Sequence, residues 1–132
     1  MGMYTEIMFR ATLKRDVPAN VLAPIRAMIG QEEADAENLP SHQLFQCPRW
    51  SHIGTSSSYY FPEHAPSGMV KDDIRKAWNV YLNADLKNYH DEIAQFFDWI
   101  DPYIDAAPGE FLGYELYEDV EPGTPPACYF KQ

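Results

Sequence analysis

The chain has 132 residues, which suits one domain able to bury roughly two-thirds of its unfolded surface. A hydrophobic content of 45% with 14% aromatic residues excludes the disordered class, and no apolar run approaches the ~18 residues of a membrane-spanning helix. Net charge is −10, from 20 acidic and 10 basic residues, which argues against a nucleic-acid partner because phosphate binding relies on clustered Lys and Arg.

The same acidity fits two readings: solubility alone, or carboxylates presented to a basic protein partner. The N-terminus lacks the basic-then-apolar pattern of a secretion signal, so a soluble, cytoplasmic protein with no membrane partner is expected. Met1-Gly2-Met3 reads as an added leader ahead of a native start at Met3. Myristoylation of Gly2 is not expected, since Ile7 stands where the acceptor motif wants Ser or Thr. Cys47 and Cys128 lie far apart with no CxxC, and they read as free thiols.

Residues 4–13, YTEIMFRATL, alternate as a strand. Thr5, Ile7, Phe9, Ala11 and Leu13 form the expected core face, and Tyr4, Glu6, Met8, Arg10 and Thr12 the other. Over 17–29, Val21, Leu22, Ile25, Met28 and Ile29 fall on a helical stripe, with Gly30 as its stop. Pro24 predicts either a start near Asn20 or a kink. Residues 31–43 are an acidic connection. Glu32, Glu33, Asp35 and Glu37 lack the Asp/Asn alternation and central glycine of a calcium loop.

Residues 44–62 suggest two short strands, Trp50–Ile53 and Ser58–Phe61, about a Gly-Thr-Ser turn. Gly54 to Ser58 has no phosphate-loop spacing. Residues 62–76 read as a proline- and charge-rich loop with a short helical turn at 71–76.

The most legible stretch follows, AWNVYLNADLKNYHDEIAQFFDWIDPYID. Trp78, Val80, Leu82, Ala84 and Leu86 alternate with Asn79, Tyr81, Asn83, Asp85 and Lys87, which predicts one buried and one wet face. Beyond Asn88 the period changes, and Ile93, Phe96, Phe97, Ile100 and Ile104 line one side of a helix. Asn88 is its expected cap, and Asp91 and Glu92 suit the positive end of the dipole. Asp98 and Asp101 should keep its polar side wet. An offset last turn is expected at Tyr103–Ile104. In 110–118, Leu112, Tyr114 and Leu116 alternate with Phe111, Gly113, Glu115 and Tyr117, and Cys128-Tyr129-Phe130 reads as a short edge strand.

This order predicts a single α+β domain over residues 1–132. A mainly antiparallel sheet of four to six strands carries two helices on one face, in a ferredoxin-like or split βαβ plan.

No catalytic constellation is visible. There is no GxSxG elbow, no HExxH and no local histidine pair, so no catalytic residue, metal or cofactor is assigned. Cys47 with His42, His52, His64 or His90 is only a drawing that any such chain permits. The outward sheet face is more telling. It should carry Arg10, Asn79, Tyr81, Asn83, Asp85, Glu115 and Tyr117, joined by Tyr59 or Tyr60, and tyrosines among polar groups suit recognition.

The segments LKNYHDEIAQFFDWIDPYI and GEFLGYELYED, with RWSHIGTSSSYYFP upstream, resemble a group of small proteins of bacterial prophages and related mobile elements. The likeness runs from Tyr4 to Tyr129. The group has no assigned activity and transfers no site residue, so the resemblance implies context alone: a bacterial, cytoplasmic accessory protein encoded by a phage.

The leading expectation is therefore a non-enzymatic, acidic interaction protein, an accessory or inhibitor of a host or phage protein. It would bind its protein partner through Arg10, Asn79, Tyr81, Asn83, Asp85 and Tyr117. The rival is a small-molecule binder or minor enzyme using a cleft with His52, Tyr59 or His90. A third reading is a self-associating structural protein, a homodimer formed through an exposed edge strand such as 127–130.

Overall fold

A computed structural model describes residues 3–59 and 61–132. Met1, Gly2 and Tyr60 lie outside the described residues. The chain runs β1 (Thr5–Thr12), α1 (Ala19–Met28), β2 (Gly68–Asp72), β3 (Ala77–Leu86), α2 (Glu92–Ile100), β4 (Phe111–Tyr117) and β5 (Ala127–Phe130). The sheet has five strands in the order β2-β3-β1-β4-β5, and every neighbouring pair is antiparallel.

Each helix joins two strands that have one other strand between them: β1-α1-β2 straddles β3, and β3-α2-β4 straddles β1. These interlocked split units are the ferredoxin-like plan, and β5 extends it beyond β4. Both helices pack on one face. Phe9 at the centre of β1 meets Phe96 and Phe97 of α2 edge to face, with ring centroids 5.0 and 5.6 Å apart. Val21, Ile25 and Met28 of α1 close the same core over Val80, Leu82 and Ala84 of β3.

The helix boundaries follow local chemistry. Helix α1 starts after Pro18 and continues through Pro24, which is buried inside it although it has no N–H to give the carbonyl of Asn20. It ends in a Schellman motif: Gln31 N donates to Arg26 O at 2.9 Å, Gly30 N donates to Ala27 O at 3.1 Å, and Gly30 has φ +80°. At α2, Asn88 does cap, but from further back than a standard N-cap. Its Oδ1 accepts from Ile93 N at 2.9 Å, while Asp91 turns the chain with φ +55°. Glu92 is buried, and its Oε1 accepts from His90 N at 2.8 Å. The offset turn after α2 is a 3-10 turn at Asp101–Tyr103.

Three sequence expectations are corrected. Among the described residues, the hairpin expected over 50–61 is absent. The chain forms 3-10 turns at Gln43–Gln46 and Trp50–His52, followed by an irregular strap over 56–59 and 61–67. The reason is spacing, because Trp50 and Ile53 are both buried and a three-residue step matches a 3-10 turn. The second strand of the sheet is instead Gly68–Asp72, where a loop and helical turn were expected. Asp72 Oδ1 accepts from Ile74 N and Arg75 N at 3.0 and 3.1 Å, and Lys76 has φ +58°, so 72–76 is the hairpin turn into β3.

The faces of β4 are also reversed over most of its length. A bulge between Phe111 and Gly113 adds one residue against β5. Leu112 is buried as expected, but beyond the bulge Glu115 and Tyr117 stand opposite Ile7 and Thr5, on the helix side. Tyr114 and Leu116 face outward, opposite Met8 and Glu6.

Candidate functional site

The outward row of β3 is Asn79, Tyr81, Asn83 and Asp85, and much of its polarity is consumed within the chain. Thr12 Oγ1 donates to Asn79 Oδ1 at 2.6 Å. Tyr81 lies over Gly68, where an added Cβ would sit 2.5 Å from the phenolic oxygen. Asn83 is tied to the strap: its N donates to Ser67 Oγ at 2.8 Å and its Nδ2 to Pro66 O at 3.4 Å. Arg10 remains exposed, opposite Tyr81.

Asp85 is the exception. It sits on the outer face yet is only 1% exposed, because the strap crosses it. The strap is anchored there by the backbone, with Asp85 N donating to Ser56 O at 2.9 Å. Ser58 N donates to Asp85 Oδ2 at 3.3 Å, and His64 Nε2 stands 3.6 Å from the same oxygen, an ion-pair distance rather than a hydrogen bond. Oδ1 has no hydrogen-bond partner, and neither does the buried hydroxyl of Ser58. Native interiors rarely leave such atoms unpaired, since each costs about 1–3 kcal/mol.

Asp85 and Ser58 line a cavity of about 770 Å³ together with Ser57, Tyr59, Phe61, Pro62, Glu63 and His64. Its volume is within the usual range for small-molecule sites, about 300–1,000 Å³. Burial raises the Asp85 carboxyl above its ordinary range, against the lowering effects of His64 and of the Ser58 amide, and Glu6 adds to the rise. Glu6 is the cross-strand partner of Asp85, and its Oε1 accepts the Tyr114 hydroxyl at 2.8 Å. Desolvation and then that bond to Glu6 push the phenol of Tyr114 up to about 12.

Serine, histidine and aspartate in one cavity invite a comparison with nucleophilic catalysis, and the geometry argues against it. A triad histidine holds the aspartate with one ring nitrogen and takes the serine proton with the other. His64 directs Nε2 at Asp85, and its Nδ1 lies 3.2 Å from Ala65 O. The Ser58 hydroxyl has no hydrogen-bond partner, so neither ring nitrogen of His64 is in reach of it as a base. Nor does the cavity suit a metal. Among the described residues, no group of three or more His, Cys, Asp and Glu could hold one.

The remaining sequence candidates are dispersed. Tyr117 is on the helix side, away from Arg10, Asn79, Tyr81 and Asn83. Of the residues expected to build a ligand cleft, Tyr59 lines the cavity and is 95% exposed, whereas His52 and His90 are exposed and lie outside it. His64 takes the place expected of them. His42 Nε2 lies 2.8 Å from Asp98, and Asp101 accepts from Lys131 Nζ and Gln132 N at 3.0 Å, so these acids pin segments to α2 rather than merely wetting it. Cys47 is buried and Cys128 exposed, both as free thiols. Burial, and then the charges of Glu92 and Asp91, raise the Cys47 thiol and keep it protonated, a poor nucleophile.

A second cleft, about 430 Å³, lies between α2 and β4–β5 beside the Phe97–Tyr129 stack, whose ring centroids are 3.9 Å apart. Its buried polar groups already have partners: the Tyr129 hydroxyl donates to Glu115.

No family model, curated protein or solved structure matches the chain. Function therefore has to be argued from the site itself.

Proposed function

We propose that this is a non-enzymatic binding protein whose ligand is a small molecule held beneath the 56–67 strap, against Asp85 of β3. The observation that carries the reading is Asp85 Oδ1. It is a buried carboxylate oxygen with no partner, and Asp85 lines a cavity with Ser58, whose buried hydroxyl is also unpaired. Folding alone gives no return for burying those two atoms unpaired, and a ligand that hydrogen-bonds them removes the penalty. Fragment screening by amide NMR tests this. Hits should move resonances in residues 57–64 and at Asp85, and hits confined to other surfaces would overturn it.

A second reading retains a protein partner, met by the open part of the outer face and by the acidic surface. Its support is the net charge of −10 and a shallow groove of Arg10, Thr12, Asn79 and Tyr81 that no helix covers. The prophage resemblance points to a bacterial lysate as the source of such a partner. Capture on immobilised protein should be lost with Arg10→Glu combined with Tyr81→Ala, and retained capture would set this reading aside.

A further inference from the structure

We propose that the occupant of the Asp85 cavity is a small organic cation, a protonated amine carried on an apolar or aromatic body. This rests on the ligand reading above and adds the chemical class. The first argument is donor and acceptor count. Asp85 Oδ1 is a free acceptor, and Ser58 Oγ, also unpaired, can accept a second N–H from the same ammonium group. Charge is the second argument. Glu63 lines the cavity, Glu6 stands opposite Asp85 in register, and the chain as a whole is strongly acidic. Among the described residues, the His64 ring faces Asp85 at Oδ2, and Oδ1 is left without a partner. An anion would meet these carboxylates and be repelled.

The walls supply the third argument. Tyr59 and Phe61 line the same cavity, and aromatic faces attract cations while covering an apolar body. An inorganic cation is the poorer fit, because hard metals want several oxygen ligands and, among the described residues, no group of three or more His, Cys, Asp and Glu could hold one. The arrangement therefore matches an ammonium head on Asp85 and Ser58, with its body beneath the strap.

Three isosteric probes separate the possibilities: benzylamine, benzyl alcohol and benzoate, titrated into the full chain and followed by amide NMR. Benzylamine should shift residues 57–64 and Asp85, and should bind at least about tenfold more tightly than the alcohol, as expected for a charge-assisted bond. Benzoate should not bind. Asp85→Asn should remove the preference for the amine, and its amide spectrum reports whether it is folded. If that variant does not fold, Ser58→Ala provides the same comparison, with amine affinity reduced several-fold. Alcohol binding as well as amine, or amine binding undiminished in Asp85→Asn, would overturn the cation while leaving a small-molecule pocket. Displacement of benzylamine by magnesium or calcium at equimolar concentration would overturn it in favour of a metal. If no probe disturbs the cavity, both this inference and the ligand reading fall.

Discussion

Asp85 sits where β3 and the strap meet, and its energetics can be read without any ligand. Burial is the main cause of its raised carboxyl, so ionising the group costs more in the folded chain than in the unfolded one. A raised folded value contributes stability that is complete below the ordinary value of 3.8 and is lost as pH rises through the folded value. Asp85→Asn should therefore raise the melting temperature at neutral pH. The gain should shrink towards zero as pH falls below the ordinary value of 3.8, where the folded and unfolded carboxyls are both neutral. His64, Ser58, Glu6 and Tyr114 surround the group in both proteins, so the difference between the two melting curves isolates it. A variant more stable than the parent yet unable to bind is the signature of a residue kept for function. Tyr114→Phe should cost about 1–2 kcal/mol in denaturant unfolding, because the Glu6 carboxylate loses its phenolic donor.

Elements in this chain are set by short-range chemistry wherever a side chain reaches its own backbone. The α2 cap is one case. Asn88→Ala should cost about 1 kcal/mol, and urea unfolding would show it, because Ile93 N loses its acceptor. The β4 bulge is the opposite case. An added Cβ at Gly113 would overlap the carbonyl oxygen of Met8 on β1, so the bulge requires glycine there for close approach of two backbones. Gly113→Ala should destabilise by roughly 2 kcal/mol or more, since backbone rather than a flexible side chain has to move. Period-two alternation read along 111–117 puts Leu112, Tyr114 and Leu116 on one face. The bulge breaks that phase after Leu112, which is why alternation alone puts Tyr117 with Arg10 and Tyr81 although it lies across the sheet from them.

At the scale of the whole molecule, the sheet has two edges, β2 and β5. Self-association through β5 would require an open, regular edge, and this one is four residues long, preceded by Pro125-Pro126 and followed by Lys131, which is paired with Asp101. Short strands, nearby proline and charge are features that blunt edge pairing. Light scattering at micromolar concentration should accordingly return the monomer mass of 15.2 kDa, and twice that mass would establish the edge as an interface.

The periodic segments were legible in the sequence: β1, α1, the switch from β3 into α2, and through their order the α+β plan. Each of these carries its own signal in side-chain period and in a local cap, at Gly30 and at Asn88. Local chemistry did not reveal β2, where Val70 on the outward face and Lys71 on the helix side are both exposed at the sheet edge, so it shows little alternation. The site was the least legible part. Asp85 reads as one more wet residue in an alternating strand. Only tertiary structure lays the strap across it, joins Ser58 and His64 to it from 27 and 21 positions away, and leaves one carboxylate oxygen without a partner. Period is a property of neighbours along the chain, whereas burial of a charge depends on which distant segment covers it.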